Sequence, residues 1–106
     1  MKFTTEPTQK EIDDLKESGE IIYQYESQSG LGTYKAVLML PKQETQDYIF
    51  KQLGTDKFIS AIESTQEEVI LWCNPLTKKS LMGLIGAYSD FFQKASPENL
   101  ILLSNS

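Results

Sequence analysis

The sequence contains no histidine and a single cysteine, Cys73, so the residue types that carry most metal and nucleophile chemistry are nearly missing. The usual zinc sites need several His or Cys ligands, and Ser-His or Cys-His nucleophile pairs need an imidazole base. Cys73 has no base beside it in the sequence, so we expect a buried, inert thiol. The expectation is a protein that is not an enzyme, with no catalytic residue, no cofactor and no metal.

Basic residues are also scarce, since 10 Lys and Arg stand against 15 Asp and Glu and give a formal net charge of −5. Proteins that bind nucleic acid without sequence preference depend on a surplus of positive charge to attract the phosphates. This chain has the opposite balance. We therefore expect no direct binding to nucleic acid.

Long apolar runs are absent as well. The longest stretches, 36–41 and 69–73, are far shorter than the roughly 20 residues that span a bilayer. Residues 1–7 lack the apolar segment of a signal peptide, and one thiol cannot form an internal disulfide. We expect a cytoplasmic protein without membrane contact, folded as one domain over residues 1–106.

What the sequence does contain is a clear order of helix and strand patterns. Thr8 and Glu11 form a capping box for a helix over 8–18, which Gly19 ends. Residues 21–26 alternate between apolar and polar in the manner of a strand, and so do residues 33–40. Two glycines, Gly30 and Gly32, lie between them. The pattern predicts a β-hairpin whose second strand has apolar residues on both faces.

The middle of the chain is predicted to be helical, with one alternative. Pro41 fits the first turn of a helix that ends near Gly54. From Asp56 onward the apolar period predicts a further helix to about residue 73. The alternative is that a second capping box, Thr65 with Glu68, divides this segment and that 69–73 is a short buried strand.

The last helix is predicted to start with Thr77 as its cap and to end at 96–97, before an apolar tail at 100–103 that is a strand or a docking segment. Gly83 and Gly86 each cost this helix about 1 kcal/mol, which predicts that another group approaches its backbone closely there. The predicted class is α+β, with an N-terminal helix, one β-hairpin, about three packed helices and a possible C-terminal strand.

Two groups of acidic residues are the remaining candidates for metal ligands or acid/base pairs, but exposed helix faces usually carry such residues for solubility. They are Asp13, Asp14 and Glu17, and Glu63, Glu67 and Glu68. A phosphate-binding loop at 29–32 is disfavoured, because the segment joins two strands and no Lys-Ser/Thr pair follows it. Lys78 and Lys79 are too few for an anion site.

Tyrosine is the most informative residue type, because it is favoured where one end of a side chain is buried and the other end meets water or a partner. Ordinary strand packing explains the three hairpin tyrosines more readily than a binding surface does. The predicted protein-binding residues are Tyr23, Tyr25, Tyr34, Tyr88 and Phe92.

The order of elements resembles that of small tailed-phage proteins of the tail-assembly-chaperone-like type. The resemblance rests on the acidic segment 11–17 leading into 19–23, and on the strand 34–40 closed by Pro41 and followed by Thr45. A helical stretch ending near Trp72 and Cys73, a last helix and an apolar tail follow, so that residues 8–103 are covered. The resemblance implies a non-enzymatic protein of the host cytoplasm that binds other tail components, or copies of itself, during assembly.

Two functions therefore stay open. One is protein binding in phage or prophage tail assembly through exposed apolar residues of the hairpin and last helix. The alternative is a small acidic inhibitor or immunity protein whose charge of −5 directs it to the basic cleft of a partner enzyme. An enzyme that uses carboxylates with Tyr or Lys is the remote third possibility.

Overall fold

The computed structural model describes residues 1–95, and within them the chain forms five helices and a three-stranded sheet. The predicted α+β class is confirmed. In chain order the elements are α1 (Gln9–Glu17), β1 (Ile22–Ser29), β2 (Gly32–Met39), α2 (Gln43–Gln52), α3 (Phe58–Val69), β3 (Ile70–Cys73), α4 (Pro75–Lys79) and α5 (Leu81–Lys94).

Helix α1 forms where its capping box predicts it. The Glu11 amide donates to the Thr8 hydroxyl at 3.2 Å, and the Thr8 amide donates to the Glu11 carboxylate at 2.9 Å. These two bonds satisfy amide groups that have no acceptor within the helix. At the other end Gly19 takes a φ of +96°, a conformation that glycine adopts more readily than residues with a Cβ.

The sheet is antiparallel with the order β1-β2-β3. The hairpin register runs from Ile22 opposite Met39 to Ser29 opposite Gly32. Strand β3 pairs with the C-terminal half of β2, with Ala36 opposite Cys73 and a register shift after Val37. The central strand β2 is thus paired on both edges, and its two faces belong to two apolar clusters, with Ala36 and Leu38 in one and Val37 in the other, which explains its apolar character on both faces.

The two faces of the sheet have different covers. On one face Ala36 and Leu38 pack with α3 and α5, and this cluster holds Tyr88, Phe91 and Phe92. On the other face α1 and the N-terminal segment cover only half of the sheet through a small cluster, composed of Ile12, Ile22, Val37 and Leu71 with Phe3, Leu15, Met39 and Trp72 at its margin. Towards the hairpin tip this second face is polar and exposed.

The prediction of one helix from Asp56 to about residue 73 is wrong, and the short strand proposed as its alternative is correct. The helix ends at Val69, and the apolar run Ile70–Cys73 pairs with β2. A four-residue run that is apolar on both sides fits a strand buried in a sheet as well as a helix, so the period alone could not decide. Thr65 does not cap a helix. It lies inside α3, and its buried hydroxyl donates to the Ala61 carbonyl at 2.7 Å.

Two other helix starts are also corrected. Asn74, not Thr77, caps the segment after β3, because its side chain accepts the Thr77 amide at 3.1 Å while Thr77 itself is fully buried in α4. Ser80 then separates α4 from α5. Pro41 precedes α2 instead of lying in its first turn. The predicted helix end at 96–97 and the tail at 100–103 lie outside the described residues.

Candidate protein-interaction surface

The hairpin tip presents an apolar side chain on a tight turn. Ser29 pairs with Gly32, so only Gly30 and Leu31 form the connection. The Ser29 hydroxyl accepts the Leu31 amide at 3.1 Å and donates to the Gly32 carbonyl at 2.9 Å. Gly32 has a φ of +130°, which favours glycine at this position. The turn is therefore well specified, and Leu31 is 78% exposed on it.

The junction of α4 and α5 lies at the same end of the molecule as the hairpin tip. A Cβ on Gly32 would lie 3.3 Å from the Leu76 side chain, and the Tyr34 hydroxyl is 3.2 Å from the Ser80 hydroxyl. Leu81 follows directly and is 42% exposed. We refer to Leu31, Leu76 and Leu81 as the hairpin-end patch.

Tyr25 and Tyr34 lie beneath α5, where they require the two helix glycines. A Cβ on Gly83 would lie 2.7 Å from Tyr34 Cδ1, and a Cβ on Gly86 would lie 2.5 Å from the Tyr25 hydroxyl oxygen. The predicted close approach to both glycines is confirmed. Tyr34 is buried by this packing and Tyr25 is half-buried, so most of their surface is used within the chain.

Tyr23 joins the start of β1 to the end of α5. Its ring stacks on Phe91 at a centroid distance of 5.4 Å, and its hydroxyl donates a short hydrogen bond to the Asp90 carboxylate. The Lys94 ammonium donates to the same hydroxyl at 2.6 Å and to Asp90 at 3.2 Å. Partial burial and the Asp90 carboxylate raise the pKa of Tyr23. Tyr23, Asp90 and Lys94 thus form a hydrogen-bonded network at the margin of the core.

The position of Tyr88 and Phe92 in the fold disagrees with the prediction that they contact a protein partner. Both side chains are fully buried, so neither can touch a partner unless the core opens. The Tyr88 hydroxyl lies 2.8 Å from the Thr65 hydroxyl, which satisfies its polar end inside the core. Burial raises the pKa of Tyr88. Both aromatics face the other helices, where the Tyr88 ring meets Phe58 of α3 and the Phe92 ring meets Phe50 of α2 in edge contacts.

The acidic residues divide into exposed groups and one structural carboxylate. Asp13, Asp14 and Glu17 lie exposed on α1, and Glu63 and Glu67 lie exposed on α3. Among residues 1–95 no group of three or more His, Cys, Asp and Glu is arranged to hold a metal ion.

Glu68 is the exception, because its carboxylate caps the N-terminus of α2 although the residue belongs to α3. Its carboxylate accepts the Lys42 amide at 3.2 Å and the Thr45 hydroxyl at 2.9 Å. Lys42, the N-cap residue of α2, supplies no side-chain cap of its own. A negative charge at this position also interacts favourably with the helix dipole. The sequence pattern did not identify this role, since the partner is a residue of another helix.

Cys73 is one of the residues that line an open cavity of about 460 Å³, together with Phe3, Trp72, Lys78 and Lys79. The thiol is buried, and burial raises its pKa. A raised pKa disfavours the thiolate, so this environment does not activate a nucleophile. A neighbouring cavity that Glu67 helps to line has a volume of about 140 Å³, less than most ligand pockets have.

The two edges of the sheet differ in their hydrogen bonding. Beside β3 runs the N-terminal segment, whose Phe3 amide donates to the Leu71 carbonyl at 3.0 Å. At the other edge β1 has no neighbouring strand within the described part of the chain. The Leu40 amide donates to the Ile21 carbonyl at 2.9 Å, so the odd-numbered residues of β1 bond to β2. The main-chain groups of the even-numbered residues, among them the exposed Gln24, Glu26 and Gln28, point outward.

No protein-family model, curated protein or solved structure matches this chain. Within residues 1–95, none of the helices combines the length and the apolar character that crossing a membrane requires. The resemblance to phage tail-assembly-chaperone-like proteins therefore stays a prediction.

Proposed function

We propose that the protein is a non-enzymatic binding factor for another protein and that it acts in the host cytoplasm during assembly of phage or prophage tails. The observation that carries the proposal is the hairpin-end patch, where Leu31 is 78% exposed at the tip of a well-specified turn. The partner surface that fits this patch is an apolar groove.

The patch supports protein binding for an energetic reason. Turn tips usually carry polar residues or glycine, and an exposed leucine there gains nothing from folding. Burial of a leucine side chain against a partner contributes about 1.5–3 kcal/mol. The turn hydrogen bonds of Ser29 hold Leu31 in place, so little conformational entropy is lost when a partner binds it.

The role in tail assembly is supported by the order of elements. The acidic helix α1, the hairpin closed by Pro41, the central helices and the last helix follow one another in the order on which the resemblance rests, except that residues 70–73 form β3 and not the end of the helical stretch. In this family the partners are other tail components, which points to a partner encoded near this gene.

The test is co-expression with the tail proteins encoded beside the gene, followed by affinity purification. Leu31→Asp places a charge in the apolar contact and should weaken retention of the partner by about tenfold or more. Ile59→Asp is the control at an exposed apolar residue outside the patch, since Ile59 is 39% exposed at the start of α3. Retention that is equal for both variants, or the absence of any bound tail protein, would contradict the proposal.

A second function, inhibition of an enzyme with a basic cleft, is favoured by the outer face of α1. Asp13, Asp14 and Glu17 are exposed there, and none of them forms an ion pair within residues 1–95. Binding through these charges would weaken steeply with added salt, whereas binding through the hairpin-end patch would change little. A salt titration of the purified complex separates the two functions.

A further inference from the structure

We propose that two copies of this chain pair through the outward edge of β1 in a two-fold symmetric dimer. The pairing joins the two sheets into one continuous antiparallel sheet centred on Tyr25. This proposal does not depend on the function proposed above, because the hairpin-end patch is not part of the contact.

The free main-chain groups at the β1 edge favour this pairing. An exposed strand edge offers a row of free N–H and C=O groups that pair readily with another strand. In β1 these groups belong to Gln24, Glu26 and Gln28, all exposed, while the edge at β3 is partly occupied by Phe3. Within the described residues the N-terminal segment occupies part of the β3 edge, so pairing of the two β1 edges favours a closed pair over a growing fibre.

The side chains of the outward residues favour one register because it keeps like charges apart. With the two-fold axis at Tyr25, Gln24 of one copy lies opposite Glu26 of the other, and the reverse contact is identical. No like charges then lie directly opposite each other. A shift of the axis to Glu26 places Glu26 opposite Glu26 of the second copy, which is unfavourable, and a shift to Gln24 places Glu26 opposite the apolar Ile22. The register centred on Tyr25 also pairs all the outward residues from Ile22 to Gln28.

Helix α5, which lies over β1, also presents an exposed side to the second copy. Its contacts with the tyrosines of the sheet involve Gly83, Gly86 and Asp90. At 100° per residue, Met82 and Ser89 lie beside this row, on the side away from the core. They therefore face the space beyond the β1 edge. Met82 is 76% exposed, and the symmetry of the dimer brings the same helix face of the second copy opposite it.

Substitutions at Gln24 test the register directly, because the residue is exposed and its side chain is not needed for the fold. Gln24→Glu creates two Glu–Glu contacts in each dimer, and Gln24→Lys creates two Lys–Glu contacts. From the usual size of cross-strand charge pairs, we expect the dimer dissociation constant to rise about fivefold in the first variant and to fall about fivefold in the second. Sedimentation equilibrium of the full-length protein measures both.

Two further variants locate the contact. Met82→Lys should weaken the dimer, whereas Leu31→Lys, at a comparably exposed leucine of the hairpin tip, should leave the dissociation constant unchanged. Thermal unfolding of each variant verifies that the fold is retained. The proposal is overturned if the wild-type protein is monomeric at its highest soluble concentration, or if it forms a dimer that responds equally to Gln24→Glu and Gln24→Lys.

Discussion

The contact between Tyr25 and Gly86 predicts that Gly86→Ala changes the free energy of unfolding in opposite directions, depending on whether position 25 is Tyr or Phe. Gly86→Ala would gain about 1 kcal/mol of helix propensity. The added Cβ, however, would lie 2.5 Å from the Tyr25 hydroxyl oxygen, so a side chain or the helix must move. Overpacking of this kind costs about 1–3 kcal/mol. We expect the single variant to lower the free energy of unfolding by about 1 kcal/mol.

Removal of the Tyr25 hydroxyl reverses the expected effect of Gly86→Ala on stability. In a Tyr25→Phe background the nearest ring atom would be the former Cζ, at 3.4 Å from the new Cβ, an ordinary contact distance. Gly86→Ala should then raise the free energy of unfolding by about 1 kcal/mol through helix propensity alone. The double-mutant cycle therefore predicts a coupling of about 2 kcal/mol between the two positions.

Urea denaturation of the four proteins, followed by circular dichroism, measures this coupling, and each kcal/mol also shifts the melting temperature by roughly 4–8 °C in a domain of this size. If the effect of Gly86→Ala is the same in both backgrounds within about 0.5 kcal/mol, the Tyr25 hydroxyl does not limit the approach of α5 to the sheet. That result would refute the reasoning.

Two further predictions concern Glu68 and Tyr88. Glu68→Gln should lower the free energy of unfolding in urea by about 1–2 kcal/mol, because the start of α2 loses its charged acceptor, whereas Glu67→Gln should change it by less than about 0.5 kcal/mol. An equal effect of both variants would contradict the capping role. Burial raises the pKa of Tyr88 above its ordinary value of 10.0, so the folded state holds the phenol proton more tightly than the unfolded state, and stability is lost as the pH rises above about 10. In Tyr88→Phe the stability should fall less steeply over the same alkaline range, which chemical denaturation at several pH values measures; an identical slope would argue against the buried phenol as its source.

The sequence was sufficient for elements whose signals are local. The capping box of Thr8 and Glu11 specifies α1 through bonds between residues three apart, and the hairpin follows from a period of two around Gly30 and Gly32. The two helix glycines were also informative, because a costly residue in a strong helix indicates that another group needs its space.

The sequence was insufficient wherever a partner distant in the chain decided the outcome. Ile70–Cys73 is a strand because β2 offers a row of main-chain partners, and the residues by themselves fit a helix as well as a strand. Tyr88 and Phe92 illustrate the same limit, since an aromatic residue on an apolar helix face gives the same sequence pattern whether that face meets the core or a partner. Tyr88 and Phe92 meet the core.

The remote cap of α2 also has a consequence for the order in which the protein forms. The amide of Lys42 finds its acceptor only 26 residues later, at Glu68. On a ribosome the first turn of α2 thus stays incomplete until most of α3 has emerged, while the hairpin, whose contacts are local, can close much earlier. The nascent chain should therefore acquire its hairpin before its central helices.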